Sequence, residues 1–268
     1  MEDCRSKITG GVKIGILLWE TCIIPFLLFN CSTWFQIKQS DMERLSKIQN
    51  LFLSTLLQVQ KAPVFSLHWE LGVLLILLRI LKEKLLLYHH ISCLPENSLS
   101  LKFLRIQERL NLPSLKDEIK TFLNEFEIID VKSFSKNSWK KFVSDKILDK
   151  NRLFLLDMAK SLKKIDYLSV ACEDFGLKDY FSELSLDLAR TKFREVTKCM
   201  KTCRSHASSD PENLYAMHRC FDCSSQDTLD HWWICDAYKH LRENMSKESD
   251  EDICRFYQAV INQRLHPD

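Results

Sequence analysis

The sequence predicts an all-α fold, on three observations. Only 5 Gly and 6 Pro stand among 268 residues, too few turn formers for a strand-rich or nucleotide-binding α/β architecture. Hydrophobic residues make up 46% of the chain and charged ones 28%, enough apolar surface for a sizeable core and too much for a disordered tail. Along most of the chain the apolar positions return at steps of three and four, the period of a helix with one buried face.

Taken in order, Ile8 to Phe29 carries Ile14, Leu17, Leu18, Ile24, Leu27 and Leu28 at helical steps, with a break expected at Pro25, which lacks a backbone donor. Ser40 with Glu43 reads as a capping box, after which Leu45, Ile48, Phe52, Leu56 and Val59 share a face and the helix ends before Pro63. Ser66 to Leu71 and Val73 to Cys93 follow as helices parted at Gly72, the second with Leu77, Leu81, Leu85 and Tyr88 in a stripe, stopped by Pro95, Glu96 and Asn97. Leu99 to Asn111 is a further helix, and Ser114 with Asp117 opens another that runs through Phe126. Ser135 to Leu162 is the longest, with Trp139, Phe142, Val143, Ile147, Phe154 and Met158 on its inner side. Asp166 to Gly176 and Arg204 to Asn213 have the composition of linkers, which sets a boundary near residue 205.

The formal charge of +2 averages unlike segments. Between Lys132 and Lys164 ten basic residues face the three acids Asp145, Asp149 and Asp157, a local excess of +7. A second basic helix, Ser185 to Cys203, carries Arg190, Lys192, Arg194, Lys198 and Lys201 against Asp187 and Glu195. Such density suits a phosphate backbone, where each neutralised phosphate releases counterions; a solvated helix face is the plainer reading. The candidate phosphate contacts are Lys140, Lys141, Lys146, Lys150, Arg190, Lys192, Arg194, Lys198 and Lys201, with RNA or DNA as the expected, sequence-nonspecific partner.

Eleven cysteines, an odd number with no signal peptide before them, point to a reducing intracellular setting, cytoplasm or nucleus, and to thiols or metal ligands rather than disulfides. Val12 to Phe35 is interrupted by Lys13, Glu20, Asn30 and Pro25, and Leu71 to Leu81 is too short and is followed by Lys82, Glu83 and Lys84, so no membrane association is expected. The sharpest signal is Cys220-Phe-Asp-Cys223 followed by His231 and Cys235. Two cysteines two residues apart can turn a knuckle onto one ion, and His231 and Cys235, at i and i+4, project from one face of a helix that starts at Asp227 or Thr228 and continues through Trp232, Trp233, Tyr238 and Leu241. Three sulfurs and one nitrogen suit a closed, structural Zn site. Cys199, Cys203, His206 and His218 read as substitutes or as a second partial site, although Cys199 and Cys203 sit more simply on a core face. His89 and His90, at a helix end, read as satisfied surface or core histidines, and Trp19, Trp34, Trp69 and Trp139 as core residues.

There is no Gly-rich phosphate loop, no nucleophile elbow and no Asp-Asp dipeptide, so no catalytic residue is assigned and no enzymatic activity is expected of this chain alone. The order of features resembles the C-terminal part of a reverse transcriptase of the non-LTR (LINE-type) retrotransposons. Leu17 to Trp34, LLWETCIIPFLLFNCSTW, is similar to the proline-containing opening of that family's thumb, followed by Leu45 to Leu53, Pro63 and Trp69-Glu-Leu-Gly72. Ala189 to Val196, the cysteine-histidine knuckle, Tyr238 with Arg242, and Phe256 to Arg264 resemble its tail. The resemblance implies a thumb-like helical region at 1–126, a basic helical linker region at 127–204 and a CCHC zinc-knuckle module with a C-terminal helix at 205–268. It also implies a role in gripping template and primer. Two departures stand out: three residues separate His231 and Cys235 where four are common, and the palm with its catalytic aspartates is missing. The alternative to a retrotransposon-derived nucleic-acid binder is a zinc-stapled helical module that docks a protein partner.

Overall fold

In a computed structural model of the chain, residues 11–59, 62–161, 175–197, 223, 229–243 and 245–265 are described. They form an all-α fold, and the one β pairing among them is an isolated bridge between Leu71 and Leu177. The chain forms two compact units, neither of them one continuous stretch: Leu18–Phe52 with Val73–Met158, and Met1–Leu17 with Leu53–Gly72 and Ala159–Asp268. No helix among the described residues is long and apolar enough to cross a membrane.

The first helical segment differs from expectation at its proline. Helix α1 (Gly11–Leu18) passes through a π turn (Trp19–Ile23) into α2 (Ile24–Leu27), where the Ile24 amide reaches back to the Trp19 carbonyl. The wider turn carries the chain past Pro25, which cannot donate, without breaking the helix. The buried line is Val12, Trp19, Ile24 and Leu28, with Ile24 and Leu28 as expected, while Ile14, Leu17 and Leu18 are exposed. Trp19 stacks on Phe52 at 4.5 Å.

Helix α3 (Gln39–Leu56) starts two residues early, so Ser40 lies inside its first turn and the expected box with Glu43 does not form; Gln39 contacts Glu43 instead, at 3.4 Å. Its inner face also moves by one residue, to Gln49, Leu53 and Leu57, leaving Ile48 exposed. Gln49 explains both this shift and the late start of α5 (Ile76–Ser92), three residues after the expected Val73. Its amide donates to the Leu74 carbonyl at 2.9 Å and accepts from the Ile76 amide at 2.9 Å, while Asn151 accepts from the Leu75 amide at 3.0 Å. Two side-chain amides thus satisfy a buried non-helical stretch that would otherwise lose its hydrogen bonds. On α5 the buried positions include Ile76, Ile80, Leu85 and Tyr88, and Leu77 faces outward.

Helix α6 (Leu99–Arg109) and α7 (Leu115–Glu125) follow. Ser114 and Asp117 make the expected reciprocal capping box, with the Ser114 amide donating to Asp117 at 2.9 Å. Helix α8 (Lys136–Ser161) buries Trp139, Val143, Ile147 and Leu155; Phe154, expected inside, is exposed and Leu155 takes its place. Trp139 donates to the Leu85 carbonyl at 3.1 Å and stacks on the buried His89 ring, whose Nε2 lies 3.0 Å from the Phe134 carbonyl. Trp139, Val143 and Ile147, with Leu85, Tyr88, Leu104, Ile119, Phe122, Leu123 and Val131, make one core. Lys84 and Glu118 form a largely buried ion pair within the same unit, 2.5 Å apart.

In the other unit, α4 (Val64–Glu70) is buried from Phe65 to Glu70 and is followed by Gly72, whose φ of +63° and close approach to Leu177 exclude a side chain: a Cβ there would lie 2.7 Å from the Leu177 nitrogen. Trp69 is buried here, whereas Trp34, in the first unit, is only half-buried. After the short α9 (Tyr180–Glu183), α10 (Leu186–Val196) packs on α13 (Asp250–Leu265). Near it, Trp232 on α11 (Leu229–Ile234) and Tyr238, just before α12 (Lys239–Arg242), join a cluster with Phe256, Tyr257 and Val260. The linkers and the boundary near 205 lie almost wholly outside the described residues.

Candidate metal centre and basic helices

Cys223, His231 and Cys235 come together, with their ligand atoms all within 4.8 Å of one another. Cys223 Sγ stands 3.0 Å from His231 Nε2 and 3.7 Å from Cys235 Sγ. The sulfur separation is too long for a disulfide bond of about 2 Å. It matches the edge of about 3.8 Å that two thiolates make on a tetrahedral ion with bonds of about 2.3 Å. The Cys223–His231 edge is shorter than the roughly 3.6 Å that the same geometry sets, so a bound ion would widen it. This group can hold a metal ion. The fourth expected ligand, Cys220, lies outside the described residues, as do Cys199, Cys203, His206 and His218.

The local backbone explains how two of the ligands meet. His231 sits in the middle of α11, and the Cys235 amide donates to the His231 carbonyl at 2.8 Å, so one helical turn spaces them. The helix then stops, contrary to the expectation that it runs on through Tyr238: Cys235 is extended, and a 3-10 turn (Asp236–Tyr238) follows. Arg242 holds this break, donating to the Cys235 carbonyl at 2.6 Å and the Trp232 carbonyl at 3.3 Å. Edge-on contacts of Trp233 with Phe256 and of Trp232 with Tyr257 fix α11 from its other side. Residue spacing alone gave no role to Arg242; the signal was its place beside Tyr238 in the family pattern. Cys235 is buried, His231 half-buried and Cys223 exposed. Two buried cysteines among the described residues contrast with it: burial pushes the Cys254 thiol up to about 12 and the Cys31 thiol to about 11, which keeps both protonated.

The candidate phosphate contacts divide by helix. On α8, Lys140 and Lys141 are exposed, together with Lys136 and Lys160, as is Lys132 in the turn before the helix. Lys146 lies over the Phe126 ring at 5.2 Å, and Lys150 pairs with Glu125. On α10 the cations are occupied within their own unit. Arg190 donates to the Leu56 carbonyl at 3.2 Å and Arg194 to the Gln58 carbonyl at 2.9 Å, so two arginines one turn apart cap the C-terminal end of α3. Lys192 bridges Asp250 at 2.8 Å and Glu195 at 3.1 Å. Burial works against its charge, but Asp250 and Glu195 outweigh burial and hold its pKa above the usual lysine value. Lys198 and Lys201 lie outside the described residues. A groove of about 480 Å³ beside α7 is lined by Lys116, Lys120 and Lys132 but also by Glu108, Asp117 and Asp130, so its charges cancel.

No family model matches the chain, and neither the curated proteins nor the solved structures contain a match to it.

Proposed function

We propose that this chain is a non-catalytic, zinc-stapled nucleic-acid-binding protein, similar in plan to the C-terminal tail of a non-LTR retrotransposon reverse transcriptase. The observation that carries the reading is the convergence of Cys223, His231 and Cys235. With Cys220 as the fourth ligand the ion has three thiolates and one imidazole, leaves no position for water, and acts as a structural staple. Its binding energy is folding energy, on the order of 10 kcal/mol in small zinc modules, and it ties the knuckle to α11. Phosphates are held on α8 by Lys140 and Lys141, with Lys146 and Lys150 becoming available if their present contacts are exchanged.

Metal analysis tests the staple. One zinc per full-length chain is expected, with thiolate charge-transfer absorption when cobalt replaces it, and both are lost together in Cys223→Ser and Cys235→Ser. A chain that takes up no metal overturns the staple.

A second reading, a helical module that docks a protein partner, is favoured by the internal engagement of Arg190, Lys192 and Arg194. It predicts no nucleic-acid binding while zinc still raises the melting temperature.

A further inference from the structure

Helix α6 carries an apolar stripe that its own fold leaves uncovered. Leu99, Phe103, Ile106 and Leu110 succeed one another at steps of four, three and four, and they are 83, 63, 43 and 56% exposed. Leu101 and Leu104, on the opposite side, are the buried residues by which α6 packs on α5. Steps of four, three and four are the a and d positions of a coiled-coil seam, narrower than the stripe a helix turns toward its own core.

With Leu99 and Ile106 at d and Phe103 and Leu110 at a, the g positions are Lys102 and Arg109 and the e positions are Ser100 and Gln107. One edge of the seam is basic and the other uncharged. Arg105, farther from the seam, is held by Glu96, whereas Lys102 and Arg109 form no ion pair among the described residues.

From this arrangement we propose that α6 is the docking surface for an amphipathic helix of a partner protein, apolar along its seam and acidic along the edge that meets Lys102 and Arg109. This inference is independent of the metal centre and of phosphate binding. A second copy of the chain fits less well. Antiparallel self-pairing sets g against g, where Lys102 and Arg109 repel, and parallel self-pairing sets them against uncharged Ser100 and Gln107. A lipid surface is met best by a broad apolar face with cations on both flanks, and this seam is narrow with one flank uncharged.

The test titrates the full chain into a labelled synthetic helix of about three heptads, with Leu at a and d and Glu at e and g, beside the same peptide with Lys at e and g. The Glu peptide is expected to bind at least about tenfold more tightly than the Lys peptide. Phe103→Glu should abolish that binding, and Lys102→Glu with Arg109→Glu should reverse the preference. Because the stripe is exposed, these variants keep the parent melting temperature, which separates lost docking from lost folding. Equal binding of the two peptides, or binding of neither, overturns the proposal. So does Phe103-dependent association with phosphatidylserine-containing vesicles, or Phe103-dependent self-association in sedimentation.

Discussion

Helices α8 and α10 look alike on paper and differ in the fold. Both are rich in lysine and arginine, yet α8 leaves Lys136, Lys140 and Lys141 exposed while α10 commits Arg190, Lys192 and Arg194 to its own unit. The difference lies in what surrounds each helix. Around α10 stand the orphan carbonyls at the end of α3 and the acidic first turn of α13, both of which need cations. Around α8, Glu125 takes up Lys150, and two aromatic rings take up Lys146. Density of charge therefore measures a ligand surface only after the internal acceptors have been counted.

Substitutions can break or sharpen this contrast. Trp139→Ala, on the inner side of α8, removes a fully buried indole and its hydrogen bond to Leu85 and should cost about 3–5 kcal/mol in chemical denaturation. Arg190→Ala leaves the Leu56 carbonyl without its donor and should cost about 1–3 kcal/mol, read by the same method. Lys192 adds a pH signature. Its folded pKa is raised above the ordinary 10.5, so its stabilising contribution is complete below that value and is lost as pH rises through the folded pKa. A melting series above pH 10 should show this loss in the parent and not in Lys192→Met. The smallest effect on stability belongs to the exposed pair: Lys140→Glu with Lys141→Glu should stay within about 0.5 kcal/mol of the parent. If the Arg190 and Lys140/Lys141 variants lose stability equally, the contrast between the helices fails.

Much of the fold was legible because helices announce themselves at their ends. The Ser114–Asp117 box, the stop before Pro95 and the turn at Gly72 all follow from backbone chemistry that short motifs encode. What could not be read were the places where a polar side chain belongs inside. Gln49 and Asn151 face a buried loop, and a hydrophobic count skips them and shifts the inner face of α3 by one residue. On α1 the stripe itself lies on another side: Ile14, Leu17 and Leu18 are exposed ahead of the π turn at Trp19–Ile23, while Ile24 and Leu28 beyond it are buried as expected. Of the candidate site, His231 and Cys235 were legible from their spacing, but the Arg242 clamp depends on where α11 stops, and that is set by tertiary packing of Trp232 and Tyr238. The arginine caps on α3 depend on residues more than a hundred positions away, beyond the reach of any local pattern.

The contrast is tested most directly by the salt dependence of nucleic-acid binding. The full chain, zinc-loaded, is titrated against a labelled single-stranded RNA and a DNA duplex over a range of salt. Binding is expected to weaken steeply with salt. On the duplex, Lys140→Glu with Lys141→Glu should flatten the logarithmic slope by about 2, near 0.9 for each phosphate that is no longer neutralised. Arg194→Ala should lower stability and leave the slope of the folded protein unchanged. Absence of binding, or a slope that moves with Arg194 and not with Lys140 and Lys141, would contradict the account.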